Sequence, residues 1–215
     1  MTFETRFIKV VGTGALRAAP DTIELSFALS SKGKTYEEML HASNSNLEAM
    51  QQVVKKAGFQ TKELRTVDYK IHAEYEYLED VKRQSQRVFA GYVCDHNLLL
   101  KFPLEISKLH AVLNAADLCK VKPEFHIAFV LKDAASAKEE ALKMAAIDAK
   151  KNAELLIGSS SNAHLGEILT IEERGFSSRS SMEAMTSAPM ISAGAMQPDN
   201  ITVEVSAEFV WEIIR

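Results

Sequence analysis

The sequence predicts an α+β protein in which antiparallel sheets carry two long helices packed on one face. Most predicted strands alternate apolar and polar residues, as strands with one buried and one hydrated face do, and such strands belong to antiparallel sheets. Two other segments, residues 35–58 and 133–158, repeat their apolar residues at helical spacing. Helices with one apolar stripe would cover the apolar face of the sheets.

The first strands are predicted on either side of a turn. Residues 6–11 form a short strand that ends at Gly12 and Gly14, and the turn runs to Pro20 and Asp21. The next strand has its apolar residues at every second position: Ile23, Leu25, Phe27 and Leu29. A dinucleotide-binding turn would need the glycines to open a helix. Since a strand follows here, a glycine-rich turn is the preferred interpretation.

Thr35 and Glu38 have the spacing of a capping box and mark the start of the first long helix, which ends at Gly58. Two long strands follow, with residues 67–77 on the first and 88–102 on the second. The charged segment 79–86 between them is predicted to be an exposed hairpin loop. A short amphipathic helix with Pro103 at its start comes next, and then an alternating strand over residues 125–131.

The second long helix is predicted from an alanine at every fourth position: Ala137, Ala141, Ala145, Ala149 and Ala153. Residues four apart share a helix face, so these methyl groups form one stripe that lets the backbone lie close along a twisted sheet. Asp133 can cap the start of this helix, and Gly158 suits the position just past its end.

The C-terminal part contains a strand at residues 168–171, a long mobile loop at residues 175–200, and a final alternating strand over residues 201–213. Residues 1–215 are interpreted as a single domain. Strand, long helix and two strands occur in that order twice, which suggests a duplicated β-α-β-β unit with pseudo-repeats at residues 20–103 and 122–215.

Composition restricts the class of protein. The chain has 215 residues and a net charge of −4, so no general attraction to nucleic acid is expected. Cys94 and Cys119 are expected to be separate reduced thiols. No stretch reaches the roughly 20 apolar residues of a transmembrane helix, and no signal peptide is recognised. We therefore expect a soluble, cytoplasmic protein, exported only if further residues had preceded Met1.

The sequence contains no recognised catalytic or cofactor-binding motif. None of the six histidines has a second ligand at a known metal-binding spacing, and no nucleophile elbow, phosphate loop or zinc-protease helix is present. Cys94 with a remote histidine is a catalytic pair on paper, but its position in an apolar strand favours an inert core thiol. We expect no cofactor, no metal and no enzymatic activity.

Two groups of residues are candidates for contact with a partner. Methionine suits adaptable contacts, and half of the chain's methionines lie in the predicted loop: Met182, Met185, Met190 and Met196. The tyrosines of the first long strand could instead line a groove or pack beneath the long helices: Tyr69, Tyr75 and Tyr77.

The order of these motifs resembles that of the SIMPL-domain family, a family of unknown function. The resemblance covers nearly the whole chain and rests on Gly12 and Gly14, Pro20-Asp21, the capping box at Thr35, the alanine repeat, and Pro189 and Gly194 before the last strand. It implies an α+β domain that, in bacterial relatives, assembles into homo-oligomeric rings and is often exported to the periplasm or envelope. Other relatives are linked to oxidative stress or associate with a signalling kinase. The resemblance transfers no catalytic residue.

The leading functional hypothesis is a non-enzymatic, self-associating scaffold or interaction protein with an unidentified protein partner. Deleting residues 182–196 is expected to spare folding and weaken association. The alternative is a protein that binds a peptide or a small apolar ligand, and a third hypothesis is an enzyme of unknown type.

Overall fold

The computed structural model describes residues 6–79, 85–160, 163–180 and 198–214. The elements in chain order are β1 (Phe7–Ala18), β2 (Thr22–Gly33), α1 (Tyr36–Lys56), β3 (Leu64–Glu79), β4 (Ser85–Pro103), α2 (Ile106–Asp117), β5 (Glu124–Val130), α3 (Ala134–Ser160), β6 (His164–Ser180) and β7 (Ile201–Ile214). They form two compact units, each with its own sheet and long helix. The predicted α+β class is confirmed.

The first unit combines β1, α3, β6 and β7. Its three strands are antiparallel in the order β1-β7-β6, and α3 covers one face of the sheet. The core consists of the alanine stripe of α3 and alternate residues of β7, including Val203, Val205, Phe209 and Trp211. The period-two pattern of β7 and the four-residue repeat of α3 therefore meet as the sequence predicts.

The prediction that the first strand ends at Gly12 is wrong, because β1 continues through both glycines to Ala18. A Cβ added at Gly12 would overlap the carbonyl oxygen of Ala145, and one at Gly14 would overlap that of Ala141. The glycines are therefore needed for the close approach of two backbones. They lie inside a strand and do not open a helix.

The start of α3 is as predicted, but its end is not. The backbone N–H of Ser136 donates to Asp133 Oδ1 at 2.9 Å, so Asp133 caps the helix. Gly158 lies inside α3, which continues to Ser160. The Gly158 backbone does not adopt the positive φ of a helix-terminating glycine, whereas Gly58, after α1, has a φ of +90°.

The loop predicted at residues 175–200 does not include residues 175–180, and residues 181–197 lie outside the described residues. Backbone pairing between β6 and β7 continues from Gly175 opposite Ser206 to Ser180 opposite Ile201. The serine-rich end of β6 shows no apolar alternation of its own, and the strongly patterned β7 provides its hydrogen-bonding partner. The prediction is therefore wrong for residues 175–180.

The second unit contains β2, α1, β3, β4, α2 and β5, with strands in the order β3-β4-β2-β5. Its core is built from larger side chains, including Ile23, Leu25, Phe27, Met50, Leu98 and Leu100. The predicted capping box of α1 is confirmed: Glu38 N–H donates to Thr35 Oγ1 at 3.2 Å, and Thr35 N–H donates to Glu38 Oε2 at 3.3 Å.

The β3–β4 hairpin extends beyond the rest of its sheet. Pairing of β2 with β4 stops at Gly33 opposite Tyr92, whereas β3 and β4 stay paired as far as Glu79 opposite Ser85. The prediction of a hairpin loop at residues 79–86 is therefore wrong for residues 79, 85 and 86, and residues 80–84 lie outside the described residues. We call the two-stranded extension, residues 74–79 and 85–91, the β-arm.

The order strand, helix, strand, strand does recur along the chain, as β2-α1-β3-β4 and β5-α3-β6-β7. Strand pairing does not follow this division, since β5 lies beside β2 and β1 lies beside β7. The last strands of the two series are β4 and β7. In the sheets, β2 lies beside β4 and β1 lies beside β7. Duplication and the single-domain assignment stay predictions.

Replacing Gly14 with Ala should destabilise the first unit, because the new Cβ would meet the α3 backbone, which cannot move aside as a flexible side chain could. Overpacking of this kind lowers the free energy of unfolding by about 1–3 kcal/mol. Urea unfolding followed by the fluorescence of Trp211, the single tryptophan and a core residue of this unit, measures the change.

Gly158→Ala is the matched control for this measurement. Nothing lies within 4 Å of a Cβ added at Gly158, so the substitution should be neutral or should stabilise α3 by up to about 1 kcal/mol through helix propensity. Equal unfolding midpoints for Gly14→Ala and the wild type would contradict the close-approach explanation.

Candidate partner-binding surface

A continuous row of aromatic rings runs from the start of α1 onto the β-arm. Tyr36 meets Tyr92 with ring centroids 5.8 Å apart, Tyr92 meets Phe89 at 5.2 Å, and Phe89 meets Tyr75 at 5.8 Å. All three pairs are edge-to-face, a favourable geometry for the ring quadrupoles. The guanidinium carbon of Arg87 lies 3.8 Å from the centroid of the Tyr75 ring. We call these residues the aromatic row.

A β-bulge explains why Phe89 belongs to this row. The register of β3 with β4 shifts between Glu74 and Tyr75, so that Tyr75 lies opposite Phe89. Strict alternation along β4 would instead put Val88 and Ala90 on the same face as Tyr92. Gly91 accommodates the irregularity with a φ of +147°, and a Cβ there would meet the backbone of Gly33. This glycine was the one sequence signal for the shift.

The aromatic row is accessible to solvent. Tyr36, Tyr75 and Phe89 are 47%, 43% and 45% exposed, and Tyr77, further out on the β-arm, is 70% exposed. A cluster of exposed aromatic side chains beside an arginine has the composition of protein–protein contact surfaces. The sequence pattern indicates Tyr75 and Tyr77 as candidates for contact with a partner. It does not indicate Tyr36, Phe89, Tyr92 and Arg87, because folding brings the row together from three segments of the chain.

Tyr69 lies apart from this row, although it is on the same strand as Tyr75 and Tyr77. Its ring meets His96 edge-to-face with centroids 4.8 Å apart, and its hydroxyl lies 3.4 Å from Ser43 Oγ of α1. Tyr69 packs at α1 and is still 42% exposed, and a groove lined by these tyrosines stays a prediction. The four candidate methionines Met182, Met185, Met190 and Met196 lie outside the described residues.

Tyr69 is the outer member of a polar cluster between α1 and its sheet. Ser43 Oγ also lies 3.4 Å from Cys94 Sγ, and both residues are buried. Hydrogen bonding with Cys94 is the main cause that raises the pKa of the Tyr69 hydroxyl. Both cysteines are free thiols, as predicted.

The first unit carries a separate charged cluster. Glu208 on β7 accepts contacts from Lys9 Nζ at 2.6 Å and from an Arg174 guanidinium nitrogen at 2.9 Å. The hydrogen bond from Lys9, followed by that from Arg174, lowers the pKa of the Glu208 carboxyl below its ordinary value. The same contact with Glu208 raises the pKa of Arg174. Glu172 lies 3.3 Å from the same Arg174 nitrogen, so two carboxylates balance the two cations of this cluster.

The part of the chain that the structure describes shows neither a metal-ligating group of side chains nor a membrane-spanning helix. No three His, Cys, Asp or Glu side chains there are grouped in a way that could hold a metal ion. None of the helices there combines the length and the apolar character that crossing a bilayer requires.

These features define a protein of two α+β units, one of which exposes a row of aromatic side chains. The family model described as SIMPL, protein of unknown function (DUF541), matches residues 8–211. This chain therefore belongs to the SIMPL family, and the resemblance inferred from its motifs is confirmed.

Two relatives share the name 26 kDa periplasmic immunogenic protein. The protein from Brucella melitensis biotype 1 is 25% identical over 173 residues, which cover 80% of this chain and 68% of the relative. The protein from Brucella abortus strain S19 matches with the same identity and coverage.

These relatives correct the predicted compartment. Both are named as periplasmic proteins, so the expectation of a cytoplasmic protein is wrong. The physical reason is that export is directed by a separate secretory segment and not by the folded domain itself. The composition and packing of a folded domain therefore do not record whether it was exported.

Replacing Glu208 with Gln should reduce the loss of stability in acid. The native pKa of Glu208 lies below its ordinary value of 4.5, so its ion pairs stabilise the folded state above that pH. This contribution is lost as pH falls through the native pKa. The wild-type unfolding midpoint, followed by Trp211 fluorescence, should decline below pH 4.5 more steeply than that of Glu208→Gln.

Glu204→Gln is the matched control, because Glu204 lies on the same face of β7 and is exposed. It should keep the wild-type dependence on pH. Parallel curves for Glu208→Gln and the wild type would show that the ion pairs of Glu208 do not contribute to acid sensitivity.

Proposed function

We propose that this chain is a non-enzymatic interaction protein that associates with further copies of itself through the β-arm and the aromatic row. The observation that carries the proposal is the two-stranded β-arm, which continues past the end of β2 with aromatic side chains exposed. The contact therefore depends on residues of the second unit.

Physical chemistry supports a partner at this position. A two-stranded ribbon in water is at best marginally stable, because too little apolar surface is buried against it. The side chains of Tyr75, Tyr77, Val88 and Phe89 remain exposed on the β-arm. A partner that covers them would remove apolar surface from water, which stabilises the complex by roughly 25 cal/mol for each Å² buried. The β-arm would be stabilised together with the complex.

The chemistry of the aromatic row favours a protein surface as the partner. Tyrosine and arginine are enriched among residues that dominate binding free energies, since they combine large contact area with directional polar groups. The edge-to-face contacts, and the stacking of Arg87 on Tyr75, hold several of these side chains in place before binding. Less side-chain entropy is then lost on association.

We further propose that the protein acts outside the cytoplasm, in the periplasm of its host. Support comes from the names of the two Brucella relatives, both of which are called periplasmic. Separation of a periplasmic fraction by osmotic shock, followed by detection of the protein, tests this location. Recovery with the cytoplasmic marker proteins would contradict it.

A second candidate function is binding of an extended peptide or a small apolar ligand. It is favoured by the position of β3, which is the edge strand of its sheet among the described residues. An extended peptide can add to such an edge through backbone hydrogen bonds and place side chains against neighbouring rings. The same aromatic row would then contact a different partner.

Light scattering coupled to gel filtration tests self-association. The wild type should show a mass above that of one chain at high concentration, and the double substitution Tyr77→Ser with Phe89→Ser should weaken association by at least about tenfold. The expected loss is large because both side chains are aromatic and exposed on the β-arm.

Ile147→Ser is the matched control, since Ile147 is 69% exposed but lies on α3 of the first unit. It should leave the mass distribution unchanged. A wild type that is strictly monomeric at high concentration would overturn self-association. A monomer that binds extended peptides, and loses them on substitution of Tyr77 and Phe89, would support the second candidate instead.

A further inference from the structure

We propose that His96 is a built-in acid sensor in the second unit: its ring is buried beneath α1 in the neutral form, and uptake of a proton loosens α1 and β3 from β4. This inference is independent of the proposed self-association. It rests on the burial of the ring, its hydrogen bonds and the absence of a compensating charge among the described residues that face it.

His96 lies in the middle of the packed face of β4. It is 4% exposed, and its register partners are Leu29 on β2 and Tyr69 on β3. Its Nε2 lies 2.8 Å from Thr66 Oγ1. One ring nitrogen is therefore anchored to β3, so the ring cannot leave its site without disturbing the strand.

The other ring nitrogen, Nδ1, is buried and has no hydrogen-bond partner among the described residues. A neutral imidazole can leave one nitrogen as an unused acceptor, but protonation makes both nitrogens donors. The imidazolium would then carry an N–H without an acceptor and a positive charge out of water. Both changes are unfavourable in a buried site.

In the part of the chain that the structure describes, no ion pair or hydrogen bond joins the His96 ring to a charged side chain. The α1 side chains that bond into this layer, Ser43 and Asn46, are uncharged. On β3, Asp68 and Lys70 are the register partners of the outward-facing β4 residues Asn97 and Asp95. Asp95 accepts a hydrogen bond from Ser30 Oγ at 3.2 Å, and its Oδ2 lies 3.6 Å from His72 Nδ1 on the same outer face.

Two other ionisable side chains belong to this cluster. Cys94 lies on the same strand face and is hydrogen-bonded to Ser43, and Tyr69 contacts the His96 ring. Hydrogen bonding with Cys94 raises the pKa of Tyr69, so its hydroxyl is neutral throughout the range in which histidine titrates. Burial is accordingly the one cause that shifts the pKa of His96, and it shifts it downward.

The contacts of His96 show how protonation would reach α1. The His96 ring touches the Tyr69 ring, and the Tyr69 hydroxyl is hydrogen-bonded to Ser43 on the buried face of α1. Movement of the imidazolium toward water would displace Tyr69 and break this connection. Loosening should therefore appear first where α1 meets β3 and β4.

The direction of the pH effect follows from linkage. Because the native pKa of His96 is below its ordinary value of 6.5, the unfolded or loosened state binds the proton more readily. The contribution of neutral His96 to stability is complete above pH 6.5. It is lost progressively as the pH falls from 6.5 through the native pKa.

Hydrogen exchange measured by mass spectrometry on the full chain tests the proposal, after correction for the pH dependence of intrinsic exchange. Between pH 7.5 and 5.5, peptides from α1 should lose protection by up to about tenfold in the wild type. The limit is tenfold because a single proton is taken up and pH 5.5 lies one unit below the ordinary histidine pKa of 6.5. His96→Gln should abolish this change, and peptides from α3 serve as an internal reference.

His72→Gln is the matched control, since His72 lies on the opposite face of the same hairpin, half-exposed, 3.6 Å from Asp95. It should keep the wild-type loss of protection. Equal losses in His96→Gln and the wild type would overturn the proposal.

If His96→Gln does not fold, NMR titration of the wild-type histidine rings replaces it. The His96 ring should stay neutral near pH 6.5 and become protonated only with loss of α1 protection. An ordinary titration near pH 6.5 with α1 fully protected would overturn the proposal.

Discussion

The first unit depends on contact between the backbones of α3 and β1. Such an approach requires residues without bulk on both sides, and Gly12 and Gly14 face Ala141, Ala145 and Ala149. Because the helix lies so close, Asp148 can accept a hydrogen bond of 3.0 Å from the backbone N–H of Thr13. The same closeness helps to keep β1, an edge strand, in register with β7 along its whole length.

The second unit uses the same elements with a different packing. Its long helix meets the sheet through large apolar side chains such as Phe27, Met39 and Met50, and the two backbones come close at the start of the helix, where Gly33 of β2 lies beside Met39. The apolar layer between α1 and the sheet also contains Ser43, Cys94 and His96, whose polar atoms are buried. Buried polar groups specify a unique arrangement when they are all bonded, and they make a site sensitive to conditions when one is not.

The β-arm joins the fold to the proposed function. It arises because β3 and β4 are longer than the strand beside them, and the bulge at Tyr75 brings rings from both strands onto one face. Membership of the SIMPL family leaves the biochemical role open, and the periplasmic relatives correct the compartment. The proposed association needs an exposed, preorganised surface, and the aromatic row has both properties.

The sequence by itself determined what depends on neighbouring residues: the strands from period-two alternation, α3 from its alanine repeat, and the caps at Thr35 and Asp133. The tertiary structure alone decided that Gly12 and Gly14 serve helix packing, that Phe89 faces Tyr75, that residues 175–180 are strand, and that His96 is buried. The physical reason is the distance along the chain between the residues that interact. Local patterns reflect backbone geometry within a few residues, whereas close approach, register and burial depend on residues distant in sequence that only folding brings together.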